Sequence, residues 1–588
     1  MAQMIMLNDW HPDVIEFIIS KMQNPRILRY LIENIEDETI QEEAKDKLSF
    51  TPLTNEEMQL YQGIVNYKHI EGHGGFTENN IRDAEQKIRD GGTYSVNSPE
   101  FLSGANISVC ITDEFMNAVE NDDVYELRFP DVANYTEEEM AYYNENWNDI
   151  GDVREWERLG FGTRVYKQIR AKELWNLINI CATYSAEPGI FFIDNANKET
   201  NASAYGQKVV ATNPCGEQPL APYSVCNLAA VNLAAIADRQ LKQPDFAKLK
   251  QTVETGVRMQ DNVIDSTPYF LDKNREQALG ERRVGLGVMG LHDLLIYCET
   301  AYGSQEGNEL VDQIFETIAT TAYRTSIELA KEKGSFPFLI GETKEETQAL
   351  RERFINTGYM QKMPDDIKQG VLDHGIRNSH LLTVAPTGST GTMVGVSTGL
   401  EPYFSFTYYR SGRLGKFIEV KADIAQDYFK ENPEASQDEL PDWFVTAMDL
   451  SPEAHADTQC VIQRWVDSSI SKTVNAPKGY RVDQVEQVYQ RLYRGGAKGG
   501  TVYVDGSRDS QVLTLKAEEN EPSEQTELFE DDQQKVVLMD TVHELETTNV
   551  TVGSEVGDTC PVCRQGHIQD VGGCNTCTNC GAQLKCGI

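Results

Sequence analysis

The stretch Asn213-Pro214-Cys215-Gly216-Glu217 brings an amide, a thiol and a carboxylate within five residues of one another. Between them these groups offer a hydrogen-bond donor, a redox-active sulfur and a base. Proline and glycine on either side of Cys215 exclude a regular helix and predict a tight loop that presents the thiol. A second thiol, Cys226, follows in the run Gln218-Pro219-Leu220-Ala221-Pro222-Tyr223-Ser224-Val225-Cys226-Asn227-Leu228. A lone cysteine is most often a small buried hydrophobe. The combination of amide, thiol and carboxylate in one loop, with a second thiol close behind, is what points to redox and acid–base chemistry.

Ala385-Pro386-Thr387-Gly388-Ser389-Thr390-Gly391-Thr392-Met393 follows the apolar run Leu381-Leu382-Thr383-Val384. Small residues there let backbone N–H groups approach an anion, and a helix starting at that point adds its dipole. Such a run is also an ordinary turn. Gly285-Leu286-Gly287-Val288-Met289-Gly290 matches the dinucleotide-binding pattern letter for letter, but it follows Gly280-Glu281-Arg282-Arg283 instead of a clear apolar strand. No acidic residue stands out about 20 residues further on, so nicotinamide binding is set aside.

Six of the twelve cysteines fall in the last 29 residues. Cys560-Pro561-Val562-Cys563 and Cys577-Thr578-Asn579-Cys580 are separated by 13 residues, a spacing that suits a tetrahedral zinc held by Cys560, Cys563, Cys577 and Cys580. Cys574 forms an overlapping pair with Cys577, so the ligand choice is not unique, and Cys586 is left without a knuckle. Cys110, Cys181, Cys298 and Cys460 read as packing cysteines, and the histidines lack metal-ligand spacing.

The elements that must position these groups are legible in outline. Ala2 to Leu7 reads as a short buried strand, followed by Asn8 to Asp13 and a helical stretch through Ile18-Ile19. From residue 101 to 516, strand-like runs such as Ile107-Ser108-Val109-Cys110-Ile111 alternate with amphipathic helical stretches, an α/β pattern. Residues 1–21 form an early segment of that domain, and 22–100 a polar, helix-rich insertion. Residues 517–558 hold 13 acidic residues and one lysine and read as a flexible linker to a cysteine-rich module at 559–588. A net charge of −39 argues against an extended nucleic-acid-binding surface. No apolar stretch approaches the roughly 18 residues of a membrane span, and no secretory signal follows Met1, so the expected compartment is the cytoplasm.

The stretch 213–228 resembles the finger loop of ribonucleotide reductases. Asn8-Asp9-Trp10-His11-Pro12-Asp13, Ala105 to Val109 and Arg283 to Leu291 are similar to other segments of that family's barrel. Ile470-Ser471-Lys472-Thr473-Val474-Asn475 and Lys498-Gly499-Gly500-Thr501-Val502-Tyr503 with Asp505-Gly506-Ser507-Arg508 resemble its adenosylcobalamin-dependent branch. The resemblance implies a ten-stranded α/β barrel, incomplete on its N-terminal side, with the loop threaded through it and a C-terminal zinc ribbon.

In that family Cys215 would become a thiyl radical that takes the 3′ hydrogen of a ribonucleotide. Glu217 would remove the 3′-hydroxyl proton, Asn213 would hold the sugar, and Cys226 would be half of the reducing dithiol. Pro386, Thr387, Gly388, Ser389 and Thr390 would bind the substrate phosphates. The tail, with Cys574 and Cys586 as its exchanging thiols, would pass electrons from thioredoxin or glutaredoxin, in a dimeric assembly governed by a nucleotide effector.

Two other readings stand beside this one: a reductase served by a metal-containing radical-generating subunit, and an inactive acidic scaffold with a zinc-ribbon interaction module. The first expects a tyrosine pair near the C-terminus, where this sequence has cysteines. The resemblance begins well inside the family's catalytic domain, so a separate N-terminal chain is expected to complete the barrel and supply a cysteine opposite Cys226. A break in the gene or in processing is the alternative.

Overall fold

The computed structural model describes residues 3–66, 78–96, 104–412, 415–434, 440–507, 513–514, 567–571, 574–578 and 583–586. Seven strands frame the site: β1 (Gln3–Asn8), β2 (Ala105–Ile111), β3 (Gly189–Phe192), β4 (Asn227–Asn232), β5 (Val284–Met289), β6 (Thr473–Ala476) and β7 (Gly499–Val504). An eighth extended segment, residues 381–384, joins them through parallel bridges from Leu382 to Leu286 and from Val384 to Ile470.

The strands fall into two parallel groups. β1, β2 and β3 run parallel in that order. β7, β6, the 381–384 segment, β5 and β4 form the second group. The groups meet where β3 pairs antiparallel with β7, Gly499 opposite Phe191. The run contains eight extended segments where the sequence resemblance implied ten, and it does not close: among the described residues no strand pairs with the outer edge of β1 or of β4.

Parallel strands covered on both faces need apolar side chains throughout, and all six residues of β5, Val-Gly-Leu-Gly-Val-Met, are buried. Its glycines answer to packing. A Cβ on Gly287 would lie 2.3 Å from the Thr383 carbonyl oxygen, and one on Gly285 would lie 2.6 Å from the Thr383 methyl. The glycine pattern that imitates a nucleotide loop is therefore a strand allowing the 381–384 segment to approach closely.

Helices α1 (Val14–Ile19), α2 (Pro25–Asn34), α3 (Glu38–Lys47) and α4 (Ala171–Ser185) back the first group. The α2 and α3 starts are capped by the Asn24 and Asp37 side chains, an arrangement worth about 1 kcal/mol each. Ile15, Ile18, Leu28, Leu31 and Ile40 join Leu174 and Ile178 in one core, so the first half of segment 22–100 packs with the barrel. Its second half, helices Asn55–Asn66 and Glu78–Asp90, keeps a small cluster of its own around Ile64, Ile81 and Ala84. Behind the second group, α5 (Phe246–Ser266) and α6 (Gln305–Lys333) bury Val253, Val257, Ile314 and Ile318 against Leu286 and Val288.

Candidate functional site

The loop at 213–217 spans the two groups of strands. On one side the Thr212 N–H points at the Met6 sulfur of β1 at 3.1 Å, and the Asn106 amide of β2 donates to the Pro214 carbonyl at 2.9 Å. On the other side the Glu217 carbonyl accepts from the Thr383 hydroxyl at 2.7 Å and from the Ser469 N–H at 2.9 Å. Within the loop, the Gly216 N–H closes a turn onto the Asn213 carbonyl at 3.0 Å, and Gly216 has φ +78°, which glycine adopts without a Cβ penalty. The Asn213 side-chain oxygen accepts from the Gln218 N–H at 3.0 Å.

The turn leaves the Cys215 thiol exposed and buries Glu217 to 2% exposure. Burial raises the Glu217 carboxyl above its ordinary range, while a hydrogen bond from Asn213 works the other way. Though exposed at its surface, the Cys215 thiol is raised by partial desolvation in the loop and then by the Glu217 charge. Cys226 sits half-buried just ahead of β4, its sulfur 3.4 Å from the Asn227 carbonyl. Burial pushes its thiol well up, Arg283 opposes the rise, and Glu217 is among the carboxylates that add to it. Glu217 thus acts electrostatically on both thiols.

Several buried polar atoms here have no protein partner: the second Glu217 carboxylate oxygen, both ends of the Gln218 amide, and the Ser468 and Ser469 hydroxyls. Buried polar groups are rarely left so, and a bound polar ligand is one way of satisfying them. Thr383, Gln218 and Arg283 entered the sequence reading only as members of longer runs, without a role, and Ser469 not at all. For Thr383 one signal was available, a lone hydroxyl in the apolar run 381–385.

The phosphate-type loop begins where the 381–384 segment ends. Thr387 takes a left-handed φ of +47° and leads into the short helix α7 (Gly388–Met393). The Thr387 hydroxyl accepts from the Gly399 N–H at 2.7 Å, and Gly388, Ser389 and Thr390 are exposed. The first-turn N–H groups of a helix have no intrahelical acceptor, so this turn offers donors to solvent or a ligand. Pro386 is half-buried beside it. One strand therefore carries both the Thr383 clamp on the finger loop and the start of the anion-type turn.

In the tail, the strands Ile568–Val571, Cys574–Cys577 and Gln583–Cys586 form an antiparallel sheet. Its register sets Cys574 opposite Cys586 and Cys577 opposite Ile568. Cys560, Cys563 and Cys580 lie outside the described residues, as does the acidic linker 517–558. Among the described residues no cluster of metal-ligating side chains occurs. Of the other cysteines, Cys110 and Cys181 are buried and Cys298 and Cys460 half-buried. Among the described residues no helix is long and apolar enough to cross a membrane.

A parallel-stranded α/β frame with a cysteine-bearing loop strung between its two halves defines a class, and comparison of the sequence with known families agrees. A model described as the barrel domain of ribonucleotide reductase matches residues 1–503, so the chain belongs to the ribonucleotide reductase family. Its relatives include the vitamin B12-dependent ribonucleoside-diphosphate reductase of Thermoplasma acidophilum, 29% identical over 488 residues that cover 80% of this chain and 54% of that protein. The protein of the same name from Mycobacterium tuberculosis is 30% identical over 444 residues, 72% of this chain and 54% of the relative. A ribonucleoside-diphosphate reductase subunit alpha from Chlamydia pneumoniae is 29% identical over 345 residues, 52% and 33% of the two chains. The chain spans about half the length of the first two relatives.

Proposed function

We propose that this chain carries the finger loop and most of the barrel of an adenosylcobalamin-dependent ribonucleotide reductase acting in the cytoplasm. The observation that carries this reading is the 213–217 loop, held between the two groups of strands with an exposed thiol two residues from a buried carboxylate. An inactive scaffold gives no reason for that arrangement. The vitamin B12-dependent names of two relatives support the choice of radical source, and their diphosphate names favour a ribonucleoside diphosphate as substrate.

The exposed sulfur of Cys215 fits a radical initiator that approaches from solvent. When bound, adenosylcobalamin supplies the one-electron oxidation that turns a thiol into a thiyl radical. Cys215 then takes the ribose 3′ hydrogen atom, and Glu217 accepts the 3′-hydroxyl proton with Asn213 holding the sugar. Two thiols give two electrons and two protons: the C2′–OH bond breaks, a C2′–H bond forms, water leaves and a disulfide remains. Cys226 is one of those thiols. Residues 386–390 hold the substrate phosphates, with donors from the backbone N–H groups after Pro386 and from the Ser389 and Thr390 hydroxyls.

The second thiol comes on a further strand of the barrel. Among the described residues the outer edges of β1 and β4 are unpaired, which supports this, because an exposed edge invites strand addition. Cys226 immediately precedes the β4 edge, so an added strand there brings its side chains beside the thiol. The tail binds one zinc through Cys560, Cys563, Cys577 and Cys580, while Cys574 and Cys586 exchange electrons with thioredoxin or glutaredoxin. Their opposed register supports that pairing, since directly opposed antiparallel residues lie about 4.5–5.5 Å apart at Cα, within disulfide range. The working assembly is a dimer with a nucleotide effector. Assay of this chain, alone and with an N-terminal polypeptide, for deoxyribonucleotide formation with and without adenosylcobalamin tests the reading. Turnover independent of the cofactor overturns the radical source, and full activity of the chain alone overturns the partner.

A further inference from the structure

Arg283 and Glu281 form a fully buried pair behind the finger loop, 3.5 Å apart at Nε and Oε2. Arg283 also donates to the Pro219 carbonyl at 3.0 Å and reaches the His380 ring nitrogen at 3.4 Å. Glu281 accepts from the Ser224 hydroxyl and from the Tyr205 hydroxyl, the latter at 3.2 Å. The two charges therefore grip both ends of the 219–224 segment, which joins Glu217 to Cys226. A buried guanidinium is costly and is no better a packing group than Met or Leu.

We propose that the Arg283–Glu281 pair is a positioning device for Cys226, fixing the 219–226 segment against the finger loop and setting the reactivity of its thiol. The proposal rests on the reading of Cys226 as a reducing thiol. Thiol–disulfide exchange proceeds through the thiolate. The charged groups that act on Cys226 are Arg283 and Glu281 from the approach to β5, Asp467 from the stretch before β6, and Glu217 from the finger loop. Three are carboxyl groups, and Arg283 is the single cation among them. Of the four it alone opposes the upward push of burial and the carboxylates, and without it the thiolate loses that partial compensation.

The test is the pH dependence of Cys226 alkylation by iodoacetamide, read peptide by peptide by mass spectrometry in the assembled enzyme. Arg283→Met should raise the midpoint by about one pH unit or more and slow alkylation near pH 8 about tenfold. Glu281→Gln, which removes an anion, should lower it. Arg283→Lys keeps the charge without the fork and should fall between wild type and Arg283→Met. The buried Cys181 should stay unreactive throughout, as a control for folding. If Arg283→Met does not fold, Arg283→Lys and Glu281→Gln still give opposite signs. Midpoints that move in the same direction in both variants, or do not move, overturn the proposal, because a purely structural pair would only loosen the segment. Whether Cys226 appears in a disulfide after one turnover is read separately. Opposite shifts without that disulfide would leave the positioning intact and remove the redox role.

Discussion

Thr383→Val removes one hydroxyl and little volume, and the structure states what that hydroxyl does. It donates to the Glu217 carbonyl at 2.7 Å and lies 3.1 Å from the Ser469 carbonyl, so it ties the finger loop to the second group of strands. A hydrogen bond of this kind contributes about 1 kcal/mol net. The Glu217 carbonyl keeps the Ser469 N–H, so it is not orphaned and the loss stays near 1–1.5 kcal/mol. At about 1.4 kcal/mol per factor of ten, local opening of the loop should rise about five- to tenfold. Hydrogen exchange of peptides covering 213–218 and 468–470 measures this directly. The expected pattern is faster exchange in those two stretches, with α4 and α6 unchanged. Exchange in the loop within about twofold of wild type, or acceleration spread evenly over the barrel, would refute the idea that Thr383 holds the loop.

Gly287→Ala drives a Cβ to 2.3 Å from the Thr383 carbonyl, a backbone atom that cannot swing away. It should cost about 1–3 kcal/mol in thermal or denaturant unfolding, whereas Gly162→Ala, which meets nothing within 4 Å, should be near neutral. Because burial raises the Glu217 carboxyl and a base works deprotonated, the acid limb of single-turnover rate against pH should lie above the ordinary carboxylate range, with activity gained as pH rises through it. Glu217→Gln should erase that limb and slow the step by about 10²–10⁴; an unshifted limb would exclude Glu217 as the base. Metal analysis of the tail should find one zinc. Removing residues 557–588 should spare a single turnover but stop multiple turnovers driven by thioredoxin, and undiminished multiple turnover would exclude the tail as the electron carrier.

The loop was legible because Pro214 and Gly216 dictate a turn whatever surrounds them, and the α/β character because runs such as 107–111 and 381–384 are mostly apolar and alternate with amphipathic helical stretches. Long-range closure was not. That Glu217 would be gripped by Thr383 and Ser469, 166 and 252 residues further on, follows from strand order, which no local pattern encodes. Gly285 and Gly287 carried an ambiguous signal, since glycine marks phosphate loops and close strand packing alike, and only the neighbouring carbonyl decides between them. Nothing in the run Gly280-Glu281-Arg282-Arg283 marked Glu281 and Arg283 as a buried pair, because burial cannot be read from charge. The coverage of segment 22–100 by two different cores was hidden for the same reason: its polar composition masks the few residues, such as Leu28 and Leu31, that reach the barrel.

The most direct test of the account is a single-turnover reduction with adenosylcobalamin, with and without an added N-terminal polypeptide, comparing the natural chain with Cys215→Ser. A serine hydroxyl is a far poorer hydrogen-atom abstractor than a thiol, so the account predicts that the variant keeps its fold and its substrate binding and forms no deoxyribonucleotide. Deoxyribonucleotide formation by Cys215→Ser at the natural rate would contradict it.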